Sequence, residues 1–248
     1  MLAHHLTGPA DPAPVVLYLH GLGVGGWCWE PVHAALPEYA ALVPDLPGHA
    51  DSAQIAWRSI EDTAARVSEL VDRLVAGRPV HITGHSLGGY IGSVLVAKRP
   101  ERFRSAVLSG FHLGSMRFPA LVKLAFVAGG MMFRVPPLLK LFARVFGDEE
   151  VARRYVACAK TVSSGTIRTA GRQVVDFKSP FEHAAVRLPT LAIAADGEPP
   201  SISSMPARLE RQHDRVRGVL LQGRDHLWPL KEPLLYADML GAHIRAHP

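Results

Sequence analysis

The chain has 248 residues, 48% hydrophobic and 20% charged, a composition typical of one sizeable globular domain or of a domain with an insertion. Two cysteines, Cys28 and Cys158, are too few for a disulfide framework and fit a reduced, cytoplasmic setting. The formal net charge is +5, yet no basic cluster alternates with stacking aromatics, so nucleic acid is not an expected partner. The first 14 residues lack the apolar run of a signal peptide, and no segment offers the roughly 18 apolar residues of a membrane span.

Strand and helix patterns alternate along most of the chain. The predicted strands are an edge strand within 1–11, then Val15–Leu19, Ala40–Val43, Val80–Thr83, Ser105–Ser109, Thr190–Ala195 and Val216–Leu221. Helical spacing is found at Trp29–Leu36, Ser59–Ala76, Ser86–Lys98 and Glu232–Arg245. Continuous apolar runs such as Val15–Leu19 are typical of strands buried on both faces of a parallel sheet. The alternation therefore predicts an α/β fold, with a mostly parallel central sheet flanked by helices.

Residues 114–188 interrupt this alternation. They contain no strand pattern and four helical patterns, at Leu121–Phe133, Val135–Phe146, Glu149–Thr161 and Thr166–Phe177. We therefore expect a helical insertion at 114–188 between two parts of one core, 1–113 and 189–248. The insertion holds 12 Lys or Arg and 5 Asp or Glu. This excess is consistent with a solvated basic face, with attraction of an anionic substrate or an acidic partner, or with contact at a membrane surface.

A serine stands at the junction between a predicted strand and a predicted helix. The segment Gly84-His85-Ser86-Leu87-Gly88 matches the Gly-x-Ser-x-Gly elbow, in which a strained turn exposes the serine hydroxyl above the sheet. Glycines two residues to either side allow the backbone to pass close to the turn. In this context Ser86 is a candidate nucleophile, because the required strand precedes it and the required helix follows it.

A serine hydroxyl needs a base within hydrogen-bond reach, and His226 follows the last predicted strand. Loops at the carboxyl ends of parallel strands meet at one edge of the sheet, so Ser86 and His226 are expected to meet there. The loop after Thr190–Ala195 offers Asp196 and Glu198 as the acid that orients the base, in the chain order serine, acid, histidine. Spacing alone leaves both carboxylates open.

An oxyanion formed at Ser86 needs backbone donors. The Leu87 N–H lies at the expected helix N-terminus, and the Leu22 N–H lies in a glycine-rich loop after Val15–Leu19. These two groups are the candidate oxyanion hole.

The sequence resembles the α/β-hydrolase family over nearly the whole chain outside 114–188. Four motifs in order carry the resemblance: His20-Gly21-Leu22-Gly23, Asp45-Leu46-Pro47-Gly48-His49-Ala50-Asp51-Ser52, Gly84-His85-Ser86-Leu87-Gly88 and Gly223-Arg224-Asp225-His226. The resemblance implies a helical cap inserted after the sixth strand. It also assigns the triad acid to Glu198, with Asp196 as the alternative, because the family's acid position falls on Glu198. Ala50 departs from the family's second glycine, in a segment whose Asp45 and Ser52 are expected to be structural.

The resemblance implies a serine hydrolase that cleaves an ester with an apolar part and needs no cofactor or metal. Ser86 argues against the dehalogenases and epoxide hydrolases of this fold, which have Asp there. Thioesterase, lactonase, perhydrolase, lyase and carbon–carbon hydrolase activities remain alternatives, as does a ligand-binding receptor with a vestigial triad. Candidate pocket residues are Trp27, Trp29, Phe111, His112, Met116, Phe126, Met131, Met132 and Trp228.

Overall fold

A seven-stranded sheet, in the order β1-β3-β2-β4-β5-β6-β7, forms the centre of the protein in a computed structural model that describes residues 1–114, 118–132, 135–146 and 148–248. Its strands are β1 (His4–Thr7), β2 (Val15–Leu19), β3 (Ala40–Pro44), β4 (Val80–His85), β5 (Ala106–Ser109), β6 (Thr190–Ala195) and β7 (Val216–Leu221). The edge strand β1 runs antiparallel to β3, and every other pair is parallel. The predicted mostly parallel sheet is confirmed.

The apolar runs of the sequence become strands covered on both faces. Every residue of β2, β3, β4, β5 and β6 is buried. Residues that alternate along β2 therefore enter two different cores, with Leu17 on one side of the sheet and Val16 on the other. Two-sided burial explains why these strands show continuous rather than alternating hydrophobicity.

Helices cover both faces of the sheet. They are α1 (Glu30–Ala34), α2 (Ile60–Leu74), α3 (Leu87–Lys98), α8 (Pro200–Ser203), α9 (Met205–Gln212), α10 (Trp228–Lys231) and α11 (Pro233–Arg245). The predicted start of α2 is confirmed, since the Ser59 hydroxyl caps it by accepting the Asp62 N–H at 3.0 Å. The sequence patterns did not predict α8 and α9, which are short and offer few turns of periodic spacing.

Four further helices follow β5 and precede β6: α4 (Pro119–Met132), α5 (Pro136–Ala143), α6 (Glu149–Ala159) and α7 (Ser164–Asp176). The four predicted helical patterns between 114 and 188 are thus present. Their position differs from the family expectation, because they follow the fifth strand of the chain and not the sixth. Residues 1–114 form five strands, β1 to β5, and only one of them, the antiparallel β1, precedes the parallel strands.

The strand order reverses direction between β2 and β4. The chain passes from β2 outward to β3 and then returns to β4 on the other side of β2. In open α/β sheets, such a switch point leaves a crevice at the carboxyl ends of the two strands, where ligands bind. The Gly21–Leu22 loop follows β2 and Ser86 follows β4, so both lie at this crevice. Within the described residues, no helix has the length and apolar character needed to cross a membrane.

Candidate active site

Ser86 occupies a strained turn between β4 and α3. Its φ is +55° and its ψ is −119°, a conformation that non-glycine residues rarely adopt. The flanking glycines permit the turn. A Cβ at Gly84 would lie 2.3 Å from the Gly88 carbonyl oxygen, and one at Gly88 would lie 2.0 Å from the Leu19 carbonyl oxygen. The elbow thus depends on the glycines that the motif supplies.

His226 lies within hydrogen-bond distance of both Ser86 and Glu198. The distance from Ser86 Oγ to His226 Nε2 is 2.9 Å, and that from His226 Nδ1 to Glu198 Oε1 is 2.5 Å. Because a carboxylate only accepts hydrogen bonds, Nδ1–H donates to Glu198 and Nε2 is left to accept the serine proton. This tautomer is the one that a general base for Ser86 requires.

Of the two carboxylates left open by the sequence, Glu198 is the one that reaches His226. Its side chain is fully buried, and its second oxygen accepts the Ala195 N–H at 2.7 Å. Asp196 is exposed and accepts the Arg224 N–H at 3.3 Å, where backbone donors led by the Gly223 N–H lower its pKa. Asp196 therefore joins the two loops that carry Glu198 and His226, but it does not contact the histidine.

Sequence reasoning overlooked His85, which holds the His226 loop in place. His85 Nε2–H donates to the His226 carbonyl oxygen at 2.8 Å, which leaves Nδ1 to accept the Ser109 hydroxyl proton at 2.9 Å. Burial lowers the pKa of His85 well below its ordinary value, and the neighbouring His226 lowers it further. The ring is therefore neutral, as both hydrogen bonds require. Its position beside the nucleophile was the signal available in the sequence.

The candidate oxyanion donors are available beside Ser86. Within the described residues, the N–H groups of Leu22 and Leu87 donate to no other group. The Gly21 backbone closely approaches the serine, since a Cβ at Gly21 would lie 3.4 Å from Ser86 Cβ. Both N–H groups therefore remain candidates for an oxyanion hole.

His20 fixes the loop that carries Leu22. Its Nδ1–H donates to the Gly21 carbonyl oxygen at 2.8 Å, and its Nε2 accepts the Leu46 N–H at 2.9 Å. Both contacts require a neutral ring, and burial lowers the pKa of His20 to about 4. The histidine of the His20-Gly21 motif is thus structural support for the loop.

A cavity of about 430 Å³ opens above Ser86. The strand-end loops supply Leu22, Val24, Cys28 and Trp29, and the helices between β5 and β6 supply Ala125, Phe126, Phe142, Tyr155 and Ile167. The lining contains the ionisable side chain of His226 and three others, His85, Cys28 and Tyr155. Burial keeps these three neutral, because it lowers the pKa of His85 and raises the pKa of Cys28 and Tyr155. The cavity wall in the described residues is accordingly apolar and without Asp, Glu, Lys or Arg.

Two of the predicted pocket residues, Trp29 and Phe126, line this cavity. Four others do not, and the prediction is corrected for them. Phe111 is buried against Tyr90 in the core, and His112 Nε2–H donates to the Val174 carbonyl oxygen at 2.8 Å. Trp228 stacks on Tyr236 beneath the sheet, and Trp27 lies under the Arg154 guanidinium at 4.9 Å. Each of these four side chains thus packs against other residues and is not part of the cavity lining.

The remaining predicted pocket residues, Met116 and the side chains of Met131 and Met132, lie outside the described part of the chain. Sequence reasoning missed Phe142, Phe146, Tyr155, Ile167, Leu227 and Leu230 as lining residues. These occur at ordinary helical core spacing or beside His226, so only the proximity of Leu227 and Leu230 to the base gave a signal. In the described residues, no group of three or more His, Cys, Asp or Glu is arranged to hold a metal ion.

Comparison with known proteins places this geometry in a family. Residues 16–239 match the model of the alpha/beta hydrolase family. An AB hydrolase superfamily protein of Gibberella zeae is 27% identical over 237 residues, an alignment that covers 91% of this chain and 78% of the relative.

Solved structures show the same fold. A hydrolase from Pseudomonas aeruginosa superimposes with a TM-score of 0.81 at 21% identity, over 98% of this chain and 94% of the other. A thermophilic esterase from Thermogutta terrifontis superimposes with a TM-score of 0.77 at 19% identity, over 100% and 94% of the two chains. With the family model matched from β2 to α11 and the sheet and elbow in the arrangement described above, this chain belongs to the alpha/beta hydrolase family.

Proposed function

We propose that the protein is a serine hydrolase that cleaves carboxylic esters with an apolar acyl or alkyl part. One observation carries the proposal: Ser86, on a strained turn, is hydrogen-bonded to His226, which is hydrogen-bonded to the buried Glu198. The structural relatives share the fold at identities too low to transfer an activity, so the site itself supports the assignment.

In the proposed mechanism, Ser86 Oγ attacks the ester carbonyl carbon while its proton moves to His226 Nε2. Glu198 stabilises the resulting imidazolium, and the N–H groups of Leu22 and Leu87 bind the oxyanion. The tetrahedral intermediate collapses as His226 returns the proton to the leaving alkoxide, which departs as the alcohol and leaves an acyl-enzyme. Water then attacks with His226 again as base, and the carboxylic acid is released with Ser86 restored.

The apolar cavity supports the substrate class. Burying a charged group against walls without a compensating charge costs several kcal/mol, so a neutral acyl or alkyl chain is the favoured occupant. We infer that helices α4–α7 act as a cap over the strand ends, with Phe126, Phe142 and Ile167 among the side chains that bind this chain. Thioesters of the same acyl groups also fit the walls, and they belong in the substrate panel.

Replacing Ser86 tests the proposal. Ser86→Ala is expected to fold and to lose p-nitrophenyl ester turnover by a factor on the order of 10⁴ or more. Ser204→Ala, at an exposed serine of the α8–α9 turn, is the matched control and is expected to retain full activity.

A fluorophosphonate probe, followed by peptide mass spectrometry, separates an enzyme from a receptor with a vestigial triad. Rapid labelling at Ser86 supports catalysis. Folded protein that resists the probe, or undiminished ester turnover in Ser86→Ala, contradicts it.

A further inference from the structure

The outer surface of α4 and α5 concentrates exposed apolar side chains. Of twelve large apolar residues exposed in the described part of the chain, eight lie between 118 and 145. The α4–α5 patch is defined here by six of them: Leu121, Leu124, Leu138, Leu141, Phe142 and Val145. Soluble proteins rarely expose so many large apolar side chains on two successive helices, and exposed apolar surface of this kind marks a binding site for a protein or a membrane.

Helix α5 is apolar on both of its faces. Leu139 and Ala143 of α5 are buried, whereas Leu141 of α5 is exposed. The same alternation continues in the 3-10 turn that follows (Arg144–Phe146), where Phe146 is buried and Val145 is exposed. A helix with this composition is ordinarily covered on all sides. The outer face of this segment is therefore apolar, but no described part of the chain covers it.

The two helices share a basic stripe beside the apolar face. Both contain Leu-x-Lys-Leu, as Leu121–Leu124 and Leu138–Leu141, and Arg144 extends the stripe one turn beyond Lys140. Residues 118–146 contain no Asp or Glu. Lys123 pairs with Asp176 of α7, whereas neither Lys140 nor Arg144 takes part in an ion pair with any described residue.

The patch adjoins the opening of the cavity above Ser86. Among the residues that line this cavity, Ala125 of α4 and Phe142 of α5 are the exposed ones. Phe142 is 39% exposed and belongs to both the lining and the patch. An apolar molecule that enters between these helices passes directly from the patch to the serine.

We propose that the α4–α5 patch docks on an anionic lipid surface, so that the cavity mouth faces the lipid. Leucine and phenylalanine side chains at the surface gain by entering the boundary of the acyl chains, and Lys140 and Arg144 meet the negative headgroups. A second copy of the chain fits less well, because two such patches face to face bring Lys140 and Arg144 of both copies together, and residues 118–146 contain no acid to pair with them. Docking goes beyond the proposed hydrolase activity, and its measurement does not depend on turnover.

Vesicle flotation tests the apolar part of the patch. The full chain is expected to float with vesicles of equal parts phosphatidylcholine and phosphatidylglycerol, and Leu141→Glu should reduce that binding at least about tenfold. Leu234→Glu is the matched control, since Leu234 is 63% exposed on α11 and Leu141 is 60% exposed. Leu124→Ser, on the other helix, should weaken binding too, and thermal melting confirms that each variant is folded.

Charge reversal tests the basic part. Lys140→Glu combined with Arg144→Glu should reduce binding to the mixed vesicles at least about tenfold, whereas Arg211→Glu on α9 should not. Failure of the full chain to float, or equal binding by Leu141→Glu and Leu234→Glu, overturns the proposal. A dimer in sedimentation equilibrium that Leu141→Glu dissociates, without vesicle binding, overturns it in favour of a second copy.

Discussion

The strand ends and the helices above them form two sides of the same cavity by different means. At the strand ends, hydrogen bonds fix individual atoms: His226 is held through both ring nitrogens and through its carbonyl oxygen. On the helices, Phe126, Phe142 and Ile167 contribute apolar surface through packing alone. In the proposed function, single atoms at the strand ends decide the reaction, and the shape of the helical wall decides which substrate enters.

The largest loss of activity is expected when the acid that contacts His226 is replaced by its amide. The same replacement at the other nearby acid, Asp196, is the matched comparison. Glu198→Gln replaces the acceptor for Nδ1–H with an amide that can donate, which favours the histidine tautomer unable to take the Ser86 proton. We expect kcat for a p-nitrophenyl ester to fall about 10⁴-fold. Asp196→Asn retains the oxygen that accepts the Arg224 N–H and should stay within a few-fold of the parent.

The test is the comparison of kcat between these two variants. Circular dichroism at the assay temperature shows whether both are folded. If Asp196→Asn loses more activity than Glu198→Gln, the assignment of the acid to Glu198 is incorrect.

His85 offers a smaller effect within the strand-end region. Replacing it with Ala removes the donor to the His226 carbonyl oxygen, and misplacing a catalytic group by about 1 Å costs up to about 10²-fold. We expect kcat per active site, counted by fluorophosphonate titration, to fall with KM little changed. A merely structural role would reduce the number of active sites but not the rate of each one.

His81 provides a matched control at the opposite end of β4. Like His85, it is buried and contacts a serine, since its Nδ1 lies 2.9 Å from Oγ of Ser105, the residue directly before β5. His81→Ala should lower the melting temperature without changing kcat per active site. Equal losses of kcat per site in both variants would contradict a positioning role for His85.

Much of the strand-end region could be predicted from sequence because local backbone requirements shape it. The boundaries of β6 and β7 match the ranges predicted from the sequence. The elbow glycines are required because a Cβ in their place would come as close as 2.0 Å to a backbone oxygen. Ala50, which departs from the family's glycine, still adopts a positive φ of 42°. A residue with a side chain therefore holds, at this position, a conformation that glycine adopts more readily.

The cavity wall could not be predicted in the same way. Phe111 follows a predicted strand and Phe126 lies within a predicted helix, and both are apolar, yet Phe111 is buried in the core and Phe126 lines the cavity. Which face of a helix meets a cavity depends on its neighbours, and periodicity reports only that a face is apolar. His85 was missed for a related reason, since its partner is a backbone carbonyl 141 residues away.

The smallest expected effect belongs to the helical side, where shape should decide selectivity. Ile167 of α7 is 2% exposed and lines the cavity, so Ile167→Phe shortens the space for an acyl chain without touching Ser86 or its partners. We expect kcat/KM for an octanoate ester to fall about tenfold, because losing the apolar contacts of even one methylene group costs about that much in kcat/KM. The value for an acetate ester should change little, since its acyl group is too short to reach the side chain at position 167. Val122→Phe, on α4 outside the lining, should leave the ratio unchanged. An equal fall in kcat/KM for both esters would show that the acyl chain does not bind beside Ile167. A residue of the helical wall would then affect the reaction itself, and the distinction between the two regions would not hold.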